Sequence, residues 1–205
     1  MMDKPLRQVK EQTLIPLAGT LVNHVHPLTI TGIGFAFGLL GGISVYVGWM
    51  LPALIFWIIN RLFDGLDGTL ARITNKQTDL GGYVDLLAYH VIYAFIPIML
   101  ALRADSAQTY ALTLFMLGIF YVNAASWMAL SAIIEKNQHD RRESRQFTTL
   151  NMPGGLIEGV ETVIFYTSFL MFSAWIDVLF LIMTVLVAIT IGQRLYWAFR
   201  YLDKD

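Results

Sequence analysis

Arg61-Leu62-Phe63-Asp64-Gly65-Leu66-Asp67-Gly68-Thr69-Leu70-Ala71-Arg72 is followed, after eight residues, by Gly81-Gly82-Tyr83-Val84-Asp85-Leu86-Leu87-Ala88-Tyr89-His90. Three carboxylates, Asp64, Asp67 and Asp85, stand here in otherwise apolar sequence. Ionised groups within a membrane segment are costly and usually mark function. On a helix, Asp64, Asp67, Gly68 and Ala71 share one face. That face sets two acids beside small residues, which let a bulky ligand approach the backbone. Paired aspartates facing open space suit hard divalent cations such as Mg²⁺ or Mn²⁺. Arg72, one turn further, fits a phosphate with its planar fork.

The rest of the chain puts this stretch in a membrane. Of 205 residues, 56% are hydrophobic and only 14% charged, and the mean hydropathy is positive. A soluble domain would carry about a quarter charged residues. Residues 1–205 therefore read as one polytopic, all-α membrane domain. The net charge of −1 argues against a nucleic-acid partner. Without cysteine, disulfides and thiol chemistry are excluded. The first residues lack an apolar core followed by a small-residue cleavage site, so no removable signal peptide is expected.

Six apolar runs, at 28–48, 51–71, 81–102, 110–134, 156–173 and 176–199, predict six membrane-spanning helices. The first is rich in glycine, which favours close helix packing. Residues 4–24 mix Lys4, Arg7, Lys10 and Glu11 with Leu6, Val9, Leu14 and Leu17, which predicts an amphipathic helix lying at the interface. Lys4, Arg7, Lys10, Arg72, Lys76, Lys136, Arg141, Arg142 and Arg200 fall on one side of this layout, and Arg103 opposite. The positive-inside rule then makes the motif and both termini cytoplasmic. Asp64 and Asp67 close the second span, and Asp85 opens the third. The connection between them is short, so the three acids are expected to converge just inside the cytoplasmic face.

Asp64-x-x-Asp67-Gly68-x-x-Ala71-Arg72, eight residues and then Gly81-x-x-x-Asp85 resembles the signature of the CDP-alcohol phosphotransferases. Seven positions match at the signature's spacing. The resemblance implies a membrane enzyme of phospholipid synthesis, homodimeric and dependent on Mg²⁺ or Mn²⁺. It would pass a substituted phosphate from a CDP-linked lipid or alcohol to an acceptor hydroxyl and release CMP. It places metal on Asp64, Asp67 and Asp85, phosphate on Arg72, and nucleotide against Gly68 and Ala71. Thr31, after Pro27, is similar to a threonine that approaches the nucleotide. The signature closes with a fourth aspartate, which serves as base, four residues after Asp85. This chain has Tyr89 there. A free phenol, with a pKa of about 10, is no ready base at neutral pH. His90 is a substitute base or a structural group, since it is rotated about 100° from Tyr89 on a helix. The alternative function is a relative that binds a CDP-lipid or a partner without turnover.

Four further positions carry expectations. Asp79 reads as the cap of the third span. Glu158 and Glu161, three apart, either answer a helix N-terminus or line a cavity. The run from Lys136 to Arg145 reads as a solvated loop. Asn123 is expected to bond between helices.

Overall fold

Helices are the only regular elements among residues 25–143 and 155–202, the part of the chain that the structure, a computed structural model, describes. In order they are α1 (Pro27–Val47), α2 (Met50–Ile73), α3 (Asp79–Ala104), α4 (Ala107–Glu143), α5 (Gly159–Met171) and α6 (Ile176–Tyr201). A 3-10 turn, Ser173–Trp175, precedes α6. The interfacial helix expected at 4–24 lies outside the described residues.

Among the described residues, Pro27–Val47, Asp79–Ala104, Ala107–Lys136 and Ser173–Tyr201 are long and apolar enough to cross a membrane. The chain is therefore a multi-pass membrane protein. The 24 residues of α2 also suffice in length, at roughly 36 Å. Its second half, however, carries Arg61, Asp64, Asp67 and Arg72. At the expected fifth span, 156–173, the helix is shorter than the others: α5 has 13 residues, about 20 Å of helix against a hydrocarbon core of about 30 Å. Its start is fixed by a capping box. The Glu158 side chain accepts from the backbone of Glu161, and the Glu161 carboxylate accepts from the N–H of Glu158 (3.2 Å). These two acids are thus helix-capping groups. The segment ahead of them is tied to the far end of α6. There the N–H of Leu156 donates to Gln193 Oε1 (3.0 Å), and the N–H of Ile157 to Thr190 Oγ1 (2.9 Å).

The loop expected from Lys136 is also corrected: α4 continues to Glu143. Glu135, Lys136, Gln138, Arg141 and Arg142 are good helix formers, and no glycine or proline stops the run. Thr78, rather than Asp79, caps α3, its hydroxyl accepting from the N–H of Gly81 (3.0 Å). Asp79 becomes the first helical residue, where its charge faces the positive end of the helix.

Packing divides the bundle. α1 lies against α2 and α3, α4 lies against α6, and α5 bridges α2 and α6. A Cβ on Gly38 would collide with Ile92, and one on Gly42 with Phe95, so these glycines let α1 and α3 meet closely. The buried core runs through Trp57, Ile96, Met116, Tyr166, Phe169 and Phe180. Trp57 Nε1 donates to Thr167 Oγ1 (3.0 Å), joining α2 to α5. Tyr166 donates to the backbone carbonyl of Tyr93, joining α5 to α3. Asn123 on α4 accepts from Arg194 on α6, at 2.7 Å to its side chain, and so bonds between helices.

Candidate active site

The α2–α3 connection brings the signature residues together. α2 stops at Thr74, whose hydroxyl donates to the carbonyl of Leu70 (2.7 Å). Asn75 follows with φ 52°, a left-handed turn that asparagine tolerates well. Three residues later Thr78 starts α3. The C-terminal end of α2 and the N-terminal end of α3 are thereby neighbours, and α1 covers both.

Two adjoining cavities open there. The smaller, about 230 Å³, has Asp64, Asp67, Asp85, Thr31, Asn60, Arg61 and Tyr89 among its lining residues. The larger, about 600 Å³ and open to solvent, is lined by Gly68, Ala71, Arg72, Lys76, Gln77, Gly81 and the start of α1 at His26–Leu28. Thr31, Asp67 and Asp85 form part of both walls.

Every residue expected at the site lines one of these cavities, except His90. Its Nδ1 is hydrogen-bonded to the carbonyl of Leu86, one turn back on α3 (2.7 Å). The rotation of about 100° per residue along a helix turns it out of the cavity wall that Tyr89 lines. Tyr89 faces the carboxylate cavity. Its ring stacks on Tyr93 with centroids 4.1 Å apart and meets His90 edge-on.

Asp67 is the most constrained of the acids. It is 4% exposed. One oxygen accepts from Thr31 (2.6 Å), and the other from the N–H of Gly68 (2.6 Å). Burying a carboxylate demands such partners. The carbonyl of Pro27, 3.2 Å from the same hydroxyl, is the alternative acceptor for its single proton, and through Thr31 Asp67 ties α2 to the start of α1. Asp64 lies 3.7 Å from Arg61 Nη1. Arg72 donates to Thr69 Oγ1 (3.3 Å) at the mouth of the larger cavity.

Among the described residues no group of three or more His, Cys, Asp or Glu stands ready-made to hold a metal ion. The chemistry of the donor set nevertheless fits Mg²⁺ or Mn²⁺, because three hard oxygen donors line one cavity. Asp67 would exchange its bond to Thr31 for the cation.

Asn60 and Lys76 also belong to the cavity walls, and sequence reasoning misses both. Asn60 has a signal, being a lone amide in an apolar span. It is 4% exposed, and its Nδ2 donates to the carbonyl of Gly34 (2.8 Å). Lys76 sits in the connection, where a lysine ordinarily means only a solvated loop.

Residues 24–192 match the CDP-alcohol phosphatidyltransferase family. The inner membrane protein YnjF of Escherichia coli is 35% identical over 153 residues, which cover 74% of this chain and 72% of that protein. A bifunctional IPC transferase and DIPP synthase of Archaeoglobus fulgidus is 27% identical over 110 residues, 53% of this chain and 22% of that one. Among solved structures, the phosphatidylinositol phosphate synthase of Mycobacterium tuberculosis with CDP-DAG bound has the same fold. Its TM-score is 0.66 at 19% identity, over 90% of this chain and 92% of that one. The same enzyme in complex with manganese and citrate gives 0.65 at 19% identity, over 89% and 87%. The matched stretch takes in all of α1 to α5 and most of α6, both cavities included, and the chain belongs to the CDP-alcohol phosphatidyltransferase family.

Proposed function

We propose that this chain transfers a substituted phosphate from a CDP-linked lipid or alcohol to an acceptor hydroxyl, releasing CMP. The observation that carries this is the pair of cavities sharing Thr31, Asp67 and Asp85 as common walls. The larger suits the nucleotide. Gly68 and Ala71 leave its wall low, and Arg72 and Lys76 offer positive charge to the diphosphate. The smaller is the place for the reacting groups, where Asp64, Asp67 and Asp85 would hold Mg²⁺ or Mn²⁺. When bound, the cation supplies charge neutralisation for a diphosphate under attack. The manganese complex of the mycobacterial synthase supports a divalent ion here, and its CDP-DAG complex supports that class of donor.

Tyr89 takes the position of the signature's closing aspartate, so the acceptor proton leaves by another route or with help from the phenol. Binding without turnover is the second reading. The aromatic stacking of Tyr89 favours it, because a stacked ring has a structural reason to be present.

In the membrane, α2 and α5 serve as the remaining passes. Residues 155–157 sit level with Thr190 and Gln193, and α5 ends beside the start of α6, so α5 runs back along α6. This completes six passes after an interfacial helix at 4–24. The excess of Lys and Arg on the motif side puts both cavities and both termini at the cytoplasmic face of an inner membrane. A homodimer is the assembly that the family resemblance implies.

The test is CMP release by purified protein in lipid, with CDP-diacylglycerol, Mg²⁺ or Mn²⁺, and a panel of polyol, polyol phosphate and amino-alcohol acceptors. Turnover with one acceptor supports the transferase. CDP binding with no turnover on any acceptor selects the binding role, and the absence of both removes the proposal.

A further inference from the structure

The larger cavity has two levels. At the inner one, Thr31 on α1, Asp67 on α2 and Asp85 on α3 form the wall shared with the carboxylate cavity. The outer one lies where α2 has ended and α1 and α3 begin, at His26, Gln77 and Thr78. His26 precedes Thr31 by five residues, and Thr78 precedes Asp85 by seven, which along a helix is about 7 and 10 Å. A nucleotide whose reacting phosphate lies at the shared wall can therefore extend its base towards the outer level.

The side chains of that level differ in kind from those further in. Arg72 and Lys76 carry full charges, which suit a diphosphate. A nucleobase edge is neutral and mixes hydrogen-bond donors with acceptors. Thr31 is taken up by Asp67 (2.6 Å), and Thr78 by its cap on the N–H of Gly81 (3.0 Å). His26 and Gln77 are the neutral polar side chains of the wall that remain, both exposed to solvent. His26 Nδ1 accepts from the N–H of Leu28 (3.3 Å) and so caps α1. A neutral imidazole that accepts at Nδ1 carries its proton on Nε2. The cap thus makes Nε2 a donor, and the same bond holds the ring against the first turn of α1. The Gln77 amide supplies both donors and an acceptor. We propose that His26 and Gln77 read the nucleobase. The Nε2–H donates to an acceptor of the cytosine ring, and the amide pairs with the amino group and the acceptor beside it. This rests on the proposed CDP-dependent transfer.

Two probes test it. Native protein in lipid nanodiscs with Mg²⁺ is titrated calorimetrically with CDP and with ribose 5-diphosphate, which has no base. Two hydrogen bonds to the base should make CDP the tighter ligand by at least about fivefold. His26→Ser keeps a capping oxygen but is too short to reach the base, and Gln77→Ala removes the amide. Each should weaken CDP by about three- to tenfold, the loss of one neutral hydrogen bond, and leave ribose 5-diphosphate within about twofold of native. Circular dichroism confirms the fold of each variant. If His26→Ser does not fold, Gln77→Ala and the native comparison still decide. Equal affinity of the native protein for the two probes would overturn the inference and leave the transferase reading standing. So would CDP binding unchanged in the folded variants, or weakened no more than that of ribose 5-diphosphate. No binding of CDP by the native protein would remove the nucleotide cavity beneath both.

Discussion

The Tyr166 hydroxyl donates to the backbone carbonyl of Tyr93, the one carbonyl that Pro97 leaves without its helical partner. Proline has no N–H, so the residue four before it in a helix loses its acceptor bond. A side chain of α5 thus repairs the gap that proline makes in α3. Tyr166→Phe should destabilise the protein by about 1–3 kcal/mol, the cost of an unsatisfied buried carbonyl. In a Pro97→Ala background the same change should cost much less, because the substituted residue restores the N–H. Thermal unfolding of the four proteins in detergent measures this. Equal costs in both backgrounds would rule the repair out.

Gly42 tests the contact between α1 and α3. A methyl group there meets the ring of Phe95. Gly42→Ala should cost about 1–3 kcal/mol by overpacking. Gly32 is the control, since a Cβ there meets nothing within 4 Å. Gly32→Ala should leave the unfolding midpoint unchanged or raise it slightly, alanine being the better helix former.

Arg72 should act through the nucleotide. Arg72→Ala removes a charge-assisted partner from the wall of the larger cavity and should weaken CDP binding at least about tenfold. Calorimetry in the presence of Mg²⁺ reads it directly. An unchanged affinity would place the diphosphate elsewhere.

For Tyr89 the decisive comparison is between Tyr89→Asp and Tyr89→Phe. Aspartate supplies a candidate base at the right position, so CMP release should rise by at least about tenfold with the correct acceptor. Phenylalanine keeps the ring beside Tyr93 and Arg61, so the fold should be unaffected. Loss of turnover in Tyr89→Phe, with no gain in Tyr89→Asp, would make the phenol itself the proton-handling group.

What can be read from sequence is whatever local pattern encodes. The apolar runs locate all six helices, and the acids of the α2–α3 stretch locate the cavities. Errors arise where an end signal is weak or hidden. Nothing in Lys136–Glu143 marks a stop, and its charge alone mimics a loop. Glu158 is an uncommon helix cap, so the start of α5 gives little notice of itself. Thr78 is obscured by the more conspicuous Asp79 beside it. The long-range pairings have no local trace at all. Tyr166 with the Tyr93 carbonyl, Thr31 with Asp67, and the rings of Tyr89 and Tyr93 with Arg61 join residues far apart in the chain. Only the packed bundle brings them into contact.

Among the described residues, every side chain lining the two cavities lies on α1, α2, α3 or the short segments joined to them. These helices pack chiefly on one another, and chains fold from the N-terminus as they are made. The ribosome therefore releases every described residue of these cavity walls before it begins α4. The later helices arrive as reinforcement. The Tyr93 carbonyl has to wait, because its hydroxyl partner is synthesised 73 residues later. During that interval the nascent protein has a complete pocket resting on a helix with one bond still unmade.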